Sequence, residues 1–336
     1  MSNDKRATMA SIARLAGVSS MTVSRAFKRD ARIHPDTRET ILRIADELGY
    51  VVDTTAASFR LGQNDFVAVT LPSLNNANFA DTVEGLSRVL SMRDLQLLLG
   101  HTNYEVETEE RLIEQMLGCQ PRALVVTGGP HSERCRRLLS SARVPVIEIW
   151  DAPADPLGFH VGFSNAQALE RLVDHAVASG YRRLAFIGGE DERDSRGVER
   201  RQGFRQALAR HGLESHRLIP AGAPPIAMAE GARALALLLG TWPDADLVIC
   251  VSDLCAFGAL SECQRRGIAV PETLALAGFG NYEIGRLCVP ALTTVDTQAR
   301  LIGERTGRLI LDLLDGAAEV ASVVLEPRLL ARASSR

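Results

Sequence analysis

The stretch Ser11-Ile12-Ala13-Arg14-Leu15-Ala16-Gly17-Val18-Ser19-Ser20-Met21-Thr22-Val23-Ser24-Arg25-Ala26-Phe27 constrains the fold more than any other part of the chain. Its apolar spacing predicts a short helix over Met9–Ala16 and a turn at Gly17-Val18. A second helix, capped by Ser19, runs to about Phe27. Ala13, Ala16 and Val23 let two helices approach closely, and Gly17 allows the sharp turn between them. After the polar loop Lys28–Pro35, a third helix starts at Asp36 or Thr37. Its apolar positions are Ile41, Leu42, Ile44, Ala45 and Leu48, and Gly49 ends it. This is the pattern of a helix-turn-helix, which presents the start of its second helix to the DNA major groove. Ser20, Met21, Thr22, Ser24 and Arg25 occupy that start. Arg25 can bridge guanine O6 and N7, Thr22 or Ser24 can reach bases or phosphates, and Met21 suits a thymine methyl.

The charge distribution points the same way. Residues 1–62 carry ten Lys and Arg against seven Asp and Glu, whereas the rest carries 28 against 34. A basic head on an acidic body suits an anionic partner for the head alone. No apolar run approaches the ~18 residues of a membrane span. The polar start Met1-Ser2-Asn3-Asp4-Lys5-Arg6 leads into no apolar signal region. The expectation is a cytoplasmic protein with no membrane partner. The six cysteines, Cys119, Cys135, Cys250, Cys255, Cys263 and Cys288, show no metal spacing and read as reduced thiols in or near the core. The seven histidines form no local ligand spacing, and His131 reads as a surface-loop residue, so neither a metal nor a cofactor is expected.

From Asp65 onward the pattern changes. Short apolar runs at Phe66–Leu71, Leu95–Gly100, Ala123–Thr127, Val144–Trp150, Arg183–Gly188, Leu247–Val251 and Leu274–Phe279 alternate with helical segments. Continuous apolar runs mark strands buried on both faces. The alternation predicts a doubly wound α/β core of parallel sheets. The halves 65–160 and 161–292 share one β-α rhythm, which suggests two similar subdomains.

The segments "SIARLAGVSSMTVSRAF" and "HPDTRETILRIADELGY" resemble the headpiece of the lactose/galactose-repressor (LacI) family of transcriptional regulators. "VAVTLPSLNNANFADTVEGL", "RRLAFIGG", "RRQGFRQAL", "VSDLCAFGAL", "GIAVPETLALAGFG" and "PALTTVD" resemble later landmarks of that family in order. The resemblance implies a helix-turn-helix headpiece over 1–50, a hinge over 51–63 and an effector-binding, dimerising core over 64–336. That core would be of periplasmic-binding-protein type. One subdomain would span about 64–161 and 293–325, the other about 162–292. Ser20, Met21 and Arg25 would read bases, and Thr8, Ser19, Thr22, Ser24 and Thr37 would position phosphates. Phe59 stands where the family places a leucine that wedges into the minor groove. The partners implied are double-stranded operator DNA and a second copy of the chain, paired through a core face that includes residues 77–92. No heptad tail precedes Arg336, which favours a dimer.

In this fold a ligand lies between the subdomains, at the carboxyl ends of strands. The residues expected there are Asn76, Asn78, Phe79, Trp150, Arg196, Arg200, Ser252, Asp253 and Asn281. Arg196 and Arg200 share a helix face near its N-terminus, which favours an anion. Sugar-binding members commonly carry an Asp where this chain has Trp150, and "GFDD" where it has Gly278-Phe279-Gly280-Asn281. They also commonly carry "DN" where it has Ser164-Asn165. Fewer carboxylates beside two retained arginines match a small sugar acid, gluconate or a keto-gluconate first, in the manner of the family's gluconate-type branch. The alternatives are a neutral or phosphorylated sugar, or a ligand acting as corepressor. A transport-type sugar-binding protein would share the core but not the headpiece. "GFGNYEIG" has the wrong spacing for a dinucleotide loop, and no G-x-S-x-G or H-E-x-x-H occurs, so no enzyme is expected.

Overall fold

Capping residues define the first three helices. The computed structural model describes residues 7–27, 32–50 and 64–335, and the chain divides into two units, Met1–Gln63 and Asn64–Arg336. In the first unit, helix α1 (Met9–Ala16) opens with a reciprocal cap. The Thr8 hydroxyl accepts from the Ser11 amide at 3.2 Å, and the Ser11 hydroxyl accepts from the Thr8 amide at 2.8 Å. Gly17 closes α1 with a φ of 67°. The Ser19 hydroxyl accepts from the Thr22 amide at 3.1 Å and starts α2 (Ser20–Phe27). Helix α3 (Pro35–Glu47) begins at Pro35, ahead of the Asp36 or Thr37 expected, because proline's fixed φ and missing N–H suit a first turn. Ile12, Val23, Ala26 and Ile41 are fully buried among the three helices, and the Arg38 side chain donates to the Ala26 carbonyl.

The second unit holds two parallel sheets. The first contains β1 (Phe66–Leu71), β2 (Gln96–His101), β3 (Ala123–Thr127), β4 (Val146–Ile149), β5 (Phe159–Gly162) and β11 (Val323–Val324), in the order β11-β5-β4-β3-β1-β2. The second contains β6 (Leu184–Ile187), β7 (Leu218–Ile219), β8 (Leu247–Cys250) and β9 (Ala275–Ala277), in the order β7-β6-β8-β9. Strand β10 (Thr294–Asp296) pairs antiparallel with β12 (Arg328–Leu330). In the first sheet, Val67, Val69, Ala123 and Val125 face one apolar layer, while Ala68, Leu124 and Val126 face another. Both layers are dry, which is why these strands read as unbroken apolar runs. The second layer is completed by α5 (Val106–Gly118) and α6 (Glu133–Ser140), the first by α4 (Ala77–Leu90) and α12 (Ala299–Leu314). Around the second sheet lie α7 (Asn165–Ala178), α8 (Ser195–Arg210), α9 (Met228–Thr241), α10 (Asp253–Arg265) and the short α11 (Glu283–Leu287).

The chain passes between subdomains after β5, near β10 and again after β11. The end of the chain does something the sequence did not suggest. Ser334, fully buried, accepts from the Leu276 amide at 2.9 Å through its carbonyl and donates its own amide to Ala291. Residues beyond 325 therefore stitch onto the second sheet.

Helices α4 and α12 touch backbone to backbone through two glycines. A Cβ on Gly303 would run into the Thr82 carbonyl, and one on Gly85 into the Arg300 carbonyl. The Thr82 hydroxyl crosses to the Ala299 carbonyl at 3.0 Å. Gly303→Val should therefore destabilise the core by about 1–3 kcal/mol or more, the usual cost of overpacking. A urea midpoint equal to that of the parent would contradict this helix contact.

Candidate functional site

In the headpiece, Val23 and Ala26 face inward, so the opposite side of α2 is left to solvent. Ser20 and Met21 are exposed there, Met21 at 64%, and Thr22, Ser24 and Arg25 are partly exposed. Thr8 and Ser19 cap α1 and α2 with their hydroxyls, and Thr37 lies on the first turn of α3. Phe59 lies outside the described residues.

In the core, the carboxyl ends of the two sheets face a common cleft. From the first subdomain its wall includes Asn76, Asn78, Phe79, Tyr104 and Trp150. From the second it includes Asp194, Arg196, Arg200, Ser252, Phe279 and Tyr282. Asn76 caps α4 by accepting from the Asn78 amide, and Ser252 caps α10 by accepting from the Cys255 amide. Both therefore stand at helix starts that point into the cleft.

Seven of the nine residues expected in this cleft line it, and two need correction. Asp253 is fully buried beneath the wall. Its carboxylate accepts from the Thr294 hydroxyl at 2.6 Å and from the Tyr282 amide at 2.8 Å, so it fixes the loop that carries Tyr282. Burial pushes its pKa up to about 6. Asn281, at a φ of 57°, turns away and accepts from Arg332 at 2.6 Å. Tyr104, Asp194 and Tyr282 were not anticipated. Tyr104 follows Asn103 in the left-handed region, two such residues in succession, a backbone feature invisible in composition.

Trp150 is 3% exposed and holds a left-handed φ of 73°, which costs about 1–3 kcal/mol in a bulky residue. Its amide donates to Val161 at 3.1 Å and its carbonyl accepts from the Asn165 side chain at 3.3 Å. The ring packs edge-on against Phe79 and Phe163, and the buried indole Nε1 has no hydrogen-bond partner among the described residues. Arg200 places its guanidinium 4.1 Å from the centre of the Phe279 ring, a cation–π contact. Its Nε and Nη2 donate to the Asn165 side-chain oxygen at 3.0 and 2.9 Å, and its Nη1 donates to the Val251 carbonyl at 2.9 Å. Burial lowers its pKa from the ordinary arginine value.

Arg196 is 5% exposed, donates across the cleft to the Gly128 carbonyl at 2.6 Å and sits 3.6 Å from Asp194. Tyr282 donates across the cleft to Asn76 at 2.6 Å, and Arg193 bridges to Glu105 at 2.8 Å. Two further carboxyls stand behind the wall. Burial raises Asp151, and burial together with Asp151 pushes Glu199 up to about 7. Burial and Asp194 raise Tyr104 to about 12, so its hydroxyl stays protonated.

Known proteins place this geometry. Residues 8–53 match bacterial regulatory proteins of the lacI family, and residues 173–335 match a periplasmic binding protein-like domain. The HTH-type transcriptional regulator GntR of Pseudomonas aeruginosa is 36% identical over 93% of this chain and 90% of its own length. The chain belongs to the LacI family. IdnR of Escherichia coli, also an HTH-type transcriptional regulator, is 32% identical over 91% of each chain. A crystal structure of a LacI-family regulator from Silicibacter pomeroyi superposes with a TM-score of 0.91 at 32% identity, covering 98% of this chain and 99% of that one. These relatives are DNA-binding transcription regulators rather than enzymes, and so is this LacI-family chain. No helix among the described residues is long and apolar enough to cross a membrane.

His131 is not the surface residue expected of a loop. Its side chain is 1% exposed, with Nδ1 2.7 Å from Glu109 and Nε2 3.7 Å from Glu148. Glu109, His131 and Cys135 form the one group among the described residues whose ligand atoms cluster tightly enough to suggest a metal. The 2.7 Å contact is a direct charge-assisted hydrogen bond, shorter than two ligands about 2 Å from a shared zinc would sit. Burial opposes the imidazolium, yet the close approach of Cys135, Glu109 and Glu148, with a direct hydrogen bond to Glu109, outweighs it and pushes the pKa up to about 11. The ion set therefore holds α5, the loop after β3 and β4 together. His131→Gln, which strands two buried carboxylates, should cost about 3–5 kcal/mol by chemical denaturation. Because the folded pKa lies above the ordinary value near 6.5, the stabilisation is complete below that pH. It is lost as pH rises through about 11, so the gap between parent and variant should narrow on the alkaline side; a constant gap would contradict the charge on His131.

Proposed function

We propose that this LacI-family regulator is a repressor released from its operator by a small sugar acid, an aldonic or keto-aldonic acid with gluconate first. The observation that carries the reading is the Arg200 guanidinium on the cleft wall, bonded only to neutral oxygens among the contacts above. Arg196 already faces Asp194, so the second cation is the one left for a ligand carboxylate. The orphan indole N–H of Trp150 offers a donor to a hydroxyl or carboxylate oxygen, and its ring offers an apolar face to a polyol. Relatives named GntR and IdnR, regulators of the gluconate and idonate type, support the same ligand class.

On the DNA side, Ser20, Met21 and Arg25 would read bases, while Thr8, Ser19, Thr22, Ser24 and Thr37 would position phosphates. Phe59 would wedge into the minor groove at the hinge. The active species would be a two-fold dimer on a near-palindromic operator. The face of α4 and the edge strand β2 supports this pairing, since Leu74 and Leu99 are exposed beside it at 61% and 45%. Ligand would close the cleft, move the paired first subdomains and weaken operator binding by about 1–3 kcal/mol per ligand. Linkage then requires operator DNA to weaken ligand binding by the same factor.

A panel of ligands scored by operator release tests the reading. Gluconate or a keto derivative should release DNA and bind by calorimetry, while neutral hexoses should do neither. Tight binding of a neutral hexose with no response to the acids would overturn it. In the headpiece, Arg25→Ala should relax discrimination at one base pair of each half-site, an effect of about 1–3 kcal/mol. Unchanged discrimination in a gel-shift series over operator variants would remove Arg25 from the reading set.

A further inference from the structure

We propose that Arg332 is a positioning residue for the effector cleft: it locks, from behind, the loop that carries Phe279 and Tyr282, so that Tyr282 can close on Asn76. Arg332 reaches this place by the third crossing of the chain. Strand β11 pairs with β5 in the first sheet, and β12 then pairs with β10. The Arg332 Nη2 donates to the Asn281 side-chain oxygen at 2.6 Å, and Nη1 donates to the Leu292 carbonyl at 3.0 Å. One planar fork therefore ties the loop after β9 to the segment that leads into β10. The arginine is itself pinned. The Thr293 hydroxyl donates to the Arg332 carbonyl at 3.1 Å and accepts from the Arg332 amide at 2.9 Å. Two residues on, the buried Ser334 hydroxyl donates to the Leu276 carbonyl at 2.6 Å.

The loop needs such a clamp because its backbone is unusual. Asn281 has a left-handed φ of 57°, and Gly280 beside it has a φ of 127°. A Cβ on Gly280 would strike the Tyr282 ring. Left-handed backbone outside glycine persists only where neighbours over-determine it. Here Asp253 accepts from the Tyr282 amide, and Arg332 holds the Asn281 side chain. The next side chain along is the one that crosses the cleft, since the Tyr282 hydroxyl donates to Asn76 at 2.6 Å. Burial raises Tyr282 well above the ordinary tyrosine range, so its hydroxyl stays protonated and remains a donor. At the other end of the loop, Phe279 supplies the ring against Arg200. Arg332 lies behind the wall of the cleft and acts on a ligand only through this loop.

The proposal rests on the reading of this cleft as the effector site, and the experiment has one arm that needs no ligand. Arg332→Met keeps the length of the side chain and removes both donors. In the ligand-free full-length chain, hydrogen exchange should quicken at the amides of residues 280–282. It should also quicken across the cleft at Asn76–Phe79, where the Tyr282 bond is loosened. A merely structural Arg332 would disturb residues 328–335 and β10 and leave Asn76–Phe79 at the parent rate; that result overturns the proposal whatever the ligand. The second arm is calorimetry with gluconate. Arg332→Met should weaken binding by roughly tenfold, the scale of one hydrogen bond to a charged group, and Tyr282→Phe should do likewise. The pair together should lose little more than Tyr282→Phe alone, because Arg332 acts through the loop that holds that tyrosine. Losses that add in full overturn the proposal. Asn281→Gly suits the same backbone and removes the acceptor, so it should reproduce both results and decides if Arg332→Met does not fold. Thermal melts and operator gel shifts establish folding. A parent that does not bind gluconate overturns the sugar-acid reading, and the exchange arm still decides the role of Arg332.

Discussion

The cleft depends on one guanidinium being held against the protein interior without a carboxylate bonded to it. Removing an unpaired charge from water is costly unless its donors are matched. Here the matching is done by the Asn165 side chain, the Val251 carbonyl and the Phe279 ring, which come from the starts or ends of three different elements. None of these groups carries charge. The arrangement exists only once the second sheet and the crossover after β5 have assembled, so the fold is what concentrates positive potential at this point. The strained Trp150 peptide belongs to the same assembly, since the Asn165 amide satisfies its carbonyl.

Much of this architecture was legible in the sequence, for physical reasons that also explain what was not. Val67, Val69, Ala123 and Val125 sit in one dry layer and Ala68, Leu124 and Val126 in another, so those strands could not avoid an unbroken apolar signature. Strand β5, Phe-His-Val-Gly, and the two-residue strands β7 and β11 carry no such run, and nothing local announces them. Cleft residues were legible where a strand end fixes position, as at Asn76, Trp150 and Ser252. Which way a side chain turns at such an end was not legible. Asp253 and Asn281 are in the right loops but point into the support of the wall, because Thr294 and Arg332, distant in sequence, supply their partners. His131 follows the same rule. Its burial comes from Glu109 and Glu148, 22 and 17 residues away, and no short-range pattern encodes that meeting.

Contacts across the cleft give the ligand something to act on. Arg196 to Gly128, Tyr282 to Asn76 and Arg193 to Glu105 each join the two subdomains directly. A ligand shifts a conformational balance only by its difference in affinity for the two states. A molecule touching Asn76 and Trp150 on one side and Arg200 and Ser252 on the other meets this condition, because it can make both sets of contacts only when the subdomains are close. A molecule held by one subdomain alone would bind without transmitting anything.

The electrostatics narrow the ligand further. Arg196 faces Asp194 at 3.6 Å, so that pair leaves the cleft little net charge. Asp194 also acts on Arg200, and Glu199, pushed up to about 7 by burial and by Asp151, is only partly ionised near neutrality. On the reading proposed above, two arginines facing one wall aspartate suit a ligand with a single negative charge. A neutral sugar would leave the second arginine uncompensated in a partly dry site, and the dianion of a phosphorylated sugar would bring a second charge with no partner. The proposed sugar acid, a monoanion carrying hydroxyls for the Trp150 and Tyr104 donors, would match the site in both charge and hydrogen bonding.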